Sequence, residues 1–384
     1  MNNQRWLSFS FFVFFFTWGV FLPYWTGWLT IEKGLSVTAA SIIMGAGMIA
    51  RSLSTFLVFP YLTQKLSLIR AMKWMSLAAL ILALLYLPDS PSIVLLIITV
   101  LFSAVYPMIL PAVESGASIL MQTEGIHYGK SRSFGSIGYT VALLLIGAAT
   151  AIWTEKAILY IMIAGLAIAT LFFMRPAPAV LQLNPVKGNS PKRAIDFKAL
   201  FTSKGFAVVL ILAILLQGAH ASYYNFGFIF LNDLGVNGFY IGIILNVAVL
   251  FEILFFTYAD RLLANVKVST MFLLAGIGST ARWILISSFP YITVFIGTQA
   301  LHALSFGLAH FAFIQFIFEK LPRDQIAGAQ GIYAAFAMSL STAILTFLGG
   351  YLYDISPRLA FLGMIICSVP AIIIVLTTKK RYVY

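Results

Sequence analysis

Six ionisable side chains stand inside apolar stretches of this 384-residue sequence: Arg51, Glu114, Arg132, Glu252, Arg282 and His302. Glu252, within VAVLFEILFFTY at 247–258, is the only charge between 239 and 258. Apolar surroundings favour the neutral form of a carboxylate, and a neighbouring guanidinium favours the charged one. A group held between these influences is suited to take up and release a proton as its neighbourhood changes. The other reading is a permanent tie between Glu252 and Arg282 that joins two helices. His302 and His310 have a structural alternative too, as hydrogen-bonded core histidines.

Other chemistries lack their residues. No G-x-x-x-x-G-K-[ST] loop is present to cradle a nucleotide phosphate, so energy has to come from an ion or solute gradient, or from none at all. One cysteine, Cys367, allows neither an intramolecular disulfide nor a cysteine-based metal cluster. Neither a metal nor a cofactor is expected, and no enzymatic activity.

The elements that position these charges follow from composition. Hydrophobic residues make up 61% of the chain, charged ones 9%, and the mean hydropathy is +0.97. Soluble domains carry about 25% charged residues, so this is a membrane protein. Apolar stretches long enough to span, about 20 residues each, lie near 6–30, 39–62, 71–88, 92–120, 132–154, 157–174, 206–231, 238–259, 268–287, 291–318, 326–350 and 358–377. Within a bilayer they must be helices. Glu252, Arg282 and His302 then fall in the middle third of spans eight, nine and ten. A lone charge there costs at least about 2.5–3.5 kcal/mol, so these residues are expected to face one another or water.

With the N-terminus cytoplasmic, 19 Lys and Arg residues lie on the inner side, three on the outer side and two, Arg51 and Arg282, within spans. The positive-inside rule therefore places both termini in the cytoplasm. It also accounts for the net charge of +12 without nucleic acid. The Pro-, Ser- and Lys-rich segment LNPVKGNSPKRAIDFK reads as a cytoplasmic linker. The expected fold is an all-α membrane protein of twelve transmembrane helices in two six-helix bundles: 1–174, the linker 175–204, and 205–384.

The aromatic run FFVFFFTW at 11–18 reads as lipid-facing or core surface, and PYWTGW at 23–28 as interfacial belt or cavity wall. Small residues in GAGMIA at 45–50, GSIG at 135–138 and GGYLYD at 349–354 are expected where helices approach closely.

With these features assembled, the chain resembles the major facilitator superfamily. Within it the chain is similar to the bacterial phenylpropionate permease group, related to the lactose permease and nucleoside proton symporters. The likeness runs along the whole sequence and is strongest in TWGVFLPYWTGWL at 17–29, AVESGA at 112–117, YGKSRSFGSIGY at 128–139, AGIGSTARW at 275–283 and QALHALSFGLAHFAFIQFI at 299–317. The resemblance implies substrate binding by Glu114, by Arg132 18 residues later, and by Tyr139 in the first half, and by Arg282 and His302 in the second. It implies proton coupling through Glu252 and His302. Arg51, Asp260 and Arg261 are assigned to gating or helix packing.

Two positions depart from the pattern. Ser305 stands where the lactose permease has its coupling carboxylate, which shifts the expected proton site to Glu252. Gln64 replaces the acidic residue of the loop after span two. The expected function is secondary active transport, as proton-coupled uptake of a small organic solute such as a phenylpropionate-like aromatic acid. Alternatives are a sugar or nucleoside proton symporter and, from another class, a non-transporting membrane sensor or scaffold. The implied setting is the bacterial inner membrane, with the lipid bilayer, the solute and a proton as partners and a monomer as the working unit.

Overall fold

Hydrocarbon offers backbone N–H and C=O groups no partners, so a spanning chain must satisfy them within itself. The computed structural model does so with helices and shows no strand among the described residues, which are 2–182, 200, 203–382 and 384. Asp260, Arg323, Asp324 and Ala327 are helical, but their side chains lie outside the described residues, as does most of the expected linker.

Eleven helical stretches are long and apolar enough to cross a membrane: α1 (Asn3–Glu32), α2 (Val37–Lys65), α4 (Ser92–Glu124), α5 (Tyr128–Ile152), α6 (Lys156–Met174), α7 (Lys204–Asp233), α8 (Gly238–Ala259), α9 (Val268–Ser288), α10 (Ile292–Lys320), α11 (Gly328–Ile355) and α12 (Pro357–Thr378). The twelfth span is α3 (Leu68–Leu84), 17 residues long and at the short limit for a crossing. It starts and ends a few residues before the expected 71–88, because the chain turns after Leu84.

Local chemistry sets the ends. The Ser36 hydroxyl accepts from Ala39 N at 3.1 Å to cap α2. Gly125, at φ 63°, closes α4 in the left-handed conformation that glycine adopts freely. Two helices depart from regular winding at the positions of interest. The helix of α7 breaks at Ala219 and His220, and α10 changes to a π-helical turn at Ala303–Gly307, directly after His302. Further π-helical turns occupy Ser54–Val58, just beyond Arg51, and Tyr333–Leu340. Such turns are rare and concentrate at functional sites.

The chain forms two compact units, Met1–Gly188 with Asn237–Ile243, and Asn189–Val236 with Ile244–Tyr384. In the first, α1 packs on α5 and α6, α2 on α4, and α3 on α6. The α1–α5 approach requires small residues, since a Cβ on Gly138 would strike the Phe12 carbonyl, and one on Gly135 would lie 2.6 Å from Phe15. In the second, α9 packs on α12 and α10, and α7 on α12 and α11.

The aromatic expectations resolve. Trp25 and Trp28 stack at 4.8 Å with Tyr86 edge-on, all three fully buried, so PYWTGW is core and not belt. Phe11 and Phe14 are buried as well, whereas Phe15 and Trp18 offer their faces to arginines.

Candidate transport site

The first unit brings Glu114 of α4 to Arg132 of α5, with Nε 3.7 Å from the carboxylate and both side chains about one-third exposed. Tyr128, one turn before Arg132, donates to Glu114 Oε2 at 2.9 Å. The guanidinium lies over Phe15 of α1, 4.2 Å from the ring centroid. Cation–π attraction thus supplements a long ion pair. Tyr139 is two turns further along the same helix face, partly exposed and packed where α5 meets Gly19 of α1. The structure therefore joins Glu114 and Arg132 as expected and adds Tyr128, which sequence reading passed over because a tyrosine at a helix start looks interfacial.

The second unit assembles a denser group. Arg282 of α9 is fully buried. Its Nη1 meets His302 Nδ1 of α10 at 2.9 Å, and its Nη2 donates to Gln299 Oε1 at 3.3 Å. The Tyr223 ring of α7 lies 4.2 Å below the guanidinium, and its hydroxyl donates to the same Gln299 oxygen at 2.8 Å. Across the imidazole, His302 Nε2 stands 3.6 Å from Glu252 Oε2 of α8. The sequence offered a direct Glu252–Arg282 tie as one reading and a cluster including His302 as another; in the structure His302 of α10 touches both, Arg282 through Nδ1 and Glu252 through Nε2.

Arginine has only donors, so His302 Nδ1 must accept and the ring proton sits on Nε2, toward Glu252. Arg282 Nε is buried with no hydrogen-bond partner among the described residues.

His220, at the break in α7, is a component that the sequence reading missed. Its Nδ1 donates to the Leu216 carbonyl at 2.9 Å, so Nε2 accepts from the Ser305 hydroxyl at 2.9 Å. Its ring meets that of His302 edge-on at 5.5 Å. The signal was present as an intramembrane histidine in QGAHASYY at 217–224. Ser305 thus bonds His220 within the buried interior.

The remaining expected residues lie apart. Arg51 of α2 stacks on Trp18 of α1 at 4.6 Å. Arg261 is exposed near the end of its helix, and Asp260 lies outside the described residues. His310 bonds Tyr333 through Nδ1 at 2.8 Å, as a core histidine does. Among the described residues no three His, Cys, Asp or Glu side chains gather as a metal site would require.

Twelve spanning helices with ionisable groups inside the spans of each unit define a multi-pass membrane transporter. The chain belongs to the MFS_1 like family, whose profile matches residues 4–363. It is a secondary transporter of a small solute. It is 27% identical over 375 residues to the "Probable 3-phenylpropionic acid transporter" of Escherichia coli (strain K12), covering 97% of both chains. It is also 27% identical to the "Maltose permease" of Geobacillus stearothermophilus, covering 97% of this chain and 93% of the relative. In fold it matches the crystal structure of nucleoside transporter NupG with a TM-score of 0.82 at 16% identity, covering 100% of each chain. A crystal structure of peptide transporter POT matches with a TM-score of 0.78 at 12% identity, covering 99% of this chain and 94% of that one.

Proposed function

We propose that the chain couples uptake of an aromatic monocarboxylate, of the phenylpropionate type, to proton entry across the bacterial inner membrane, with both termini cytoplasmic. The observation that carries the coupling is the line Arg282, His302, Glu252: three ionisable groups in series within the second unit, with the histidine's own proton facing the carboxylate. The gap of 3.6 Å is just beyond hydrogen-bond length, so a small helix displacement makes or breaks the transfer path. In this reading Glu252 and His302 hold the coupling proton as one group, with Ser305 and His220 fixing the neighbourhood. Glu114, Arg132, Tyr139 and Arg282 contact the solute.

The aromatic-acid class draws support from the 3-phenylpropionic acid relative and from guanidinium groups that recognise carboxylates through paired hydrogen bonds. Uptake of labelled 3-phenylpropionate into proteoliposomes, with and without an imposed inward proton gradient, tests it; uptake indifferent to both pH and voltage rejects the coupling. A second reading, a sugar symporter, is favoured by the maltose permease relative, and response in the same assay to maltose alone would establish it.

A further inference from the structure

We infer that Arg51, resting on the Trp18 ring, takes the carboxylate of the transported acid, an inference that rests on the aromatic-acid reading above. The three intramembrane arginines differ in what balances them. Arg132 has Glu114 at 3.7 Å, and Arg282 joins a hydrogen-bonded group that leads to Glu252. Arg51 has no carboxylate within ion-pair distance among the described residues, and its guanidinium rests on Trp18. A cation over an aromatic face recovers only part of the cost of leaving water. A net positive charge therefore stays at this place, which an anion entering the site relieves.

The geometry suits the ligand class. The guanidinium carbon lies 4.6 Å over the indole centroid, and a guanidinium is a planar fork of N–H donors suited to a two-bond grip on a carboxylate. Beside it, Phe14 and Trp18 are nearly parallel at 13° and 6.1 Å, and Tyr106 lies 5.4 Å from Phe14 at 21°. Tyr106 is fixed by its hydroxyl bond to Thr17 at 2.7 Å, so the stacked rings hold the Trp18 indole under the guanidinium in place. Arg51 is half-buried. One turn earlier, Gly47 lets α2 press on α4, where an added Cβ would lie 2.7 Å from Ser103 Oγ, and this sets the depth of Arg51.

Isothermal titration of the purified full chain with 3-phenylpropionate and with the neutral 3-phenylpropanamide tests the assignment. Arg51→Gln leaves no orphaned carboxylate behind, and it is expected to weaken the acid on the order of a hundredfold while changing the amide little. Arg51→Lys, which keeps the charge and loses the fork, is expected to fall between. Acid binding unchanged in both variants, or acid and amide weakened equally, overturns the subsite and leaves the aromatic-acid reading standing. If the unaltered protein binds no acid at all, the substrate reading fails and the subsite with it. Should Arg51→Gln not be recoverable, the acid-to-amide preference in Arg51→Lys decides, and a preference equal to wild type overturns the proposal.

Discussion

At the scale of single residues, His302 is the pivot, since one ring nitrogen is committed to an arginine and the other carries a proton toward a carboxylate. Replacing Glu252 by Gln keeps size and hydrogen bonding but removes the charge. The variant is expected to exchange labelled substrate across the membrane at near wild-type rates and to lose accumulation against a gradient; counterflow and gradient-driven uptake, measured side by side, separate the two. Retained accumulation would remove the coupling role from Glu252. Tyr128→Phe removes one hydrogen bond to a charged group, worth about 1.5–3 kcal/mol. The apparent KM for uptake is expected to rise roughly tenfold with expression unchanged, as read by initial-rate measurements. The members of these groups were largely legible in the sequence, because a charge inside an apolar span has few explanations. The connectivity of the second group was not, since Arg282, His302 and Glu252, 20 to 50 positions apart, meet only through helix rotation. His220 escaped because its bonding to Ser305 depends on a helix break that no pattern in the sequence marks.

At the scale of elements, close approach and end contacts hold the first unit in its arrangement. Gly138→Ala sets a methyl against the Phe12 carbonyl, a backbone atom that cannot swing aside. Overpacking of this kind costs about 1–3 kcal/mol, and a lower melting temperature in detergent is the expected reading. Outside the spans, Lys33 after α1 donates to Asp89 after α3 at 2.6 Å, and this bond holds the Asp89 carboxyl below its ordinary pKa. The group is depressed in the folded state, so its stabilisation is complete above the unfolded value of about 3.9 and disappears as pH falls through the lower folded value. Asp89 is fully exposed, which keeps the effect small. Asp89→Asn is expected to melt slightly below wild type at pH 7 and together with it in strong acid. The glycine motifs behind these contacts were readable as small-residue runs, but which helix each one meets was not.

At the scale of the whole molecule, membrane class and span number followed from hydropathy, since every apolar run of sufficient length became a helix. The expected boundary within 175–204 falls largely outside the described residues. Orientation rests on 19 inner against three outer basic residues. Impermeant labelling of a cysteine introduced at Tyr384 in intact cells is expected to fail and to succeed after lysis; labelling of intact cells would reverse the topology. The short third span has a consequence for the surrounding lipid. Seventeen residues at 1.5 Å each rise about 26 Å, less than the ~30 Å of an average hydrocarbon core. Beside α3 the bilayer must thin or its acyl chains must tilt, at a cost that grows with chain length. Reconstituted activity is therefore expected to peak in lipids with short acyl tails and to fall as the tails lengthen, so that bilayer thickness itself acts on the transporter.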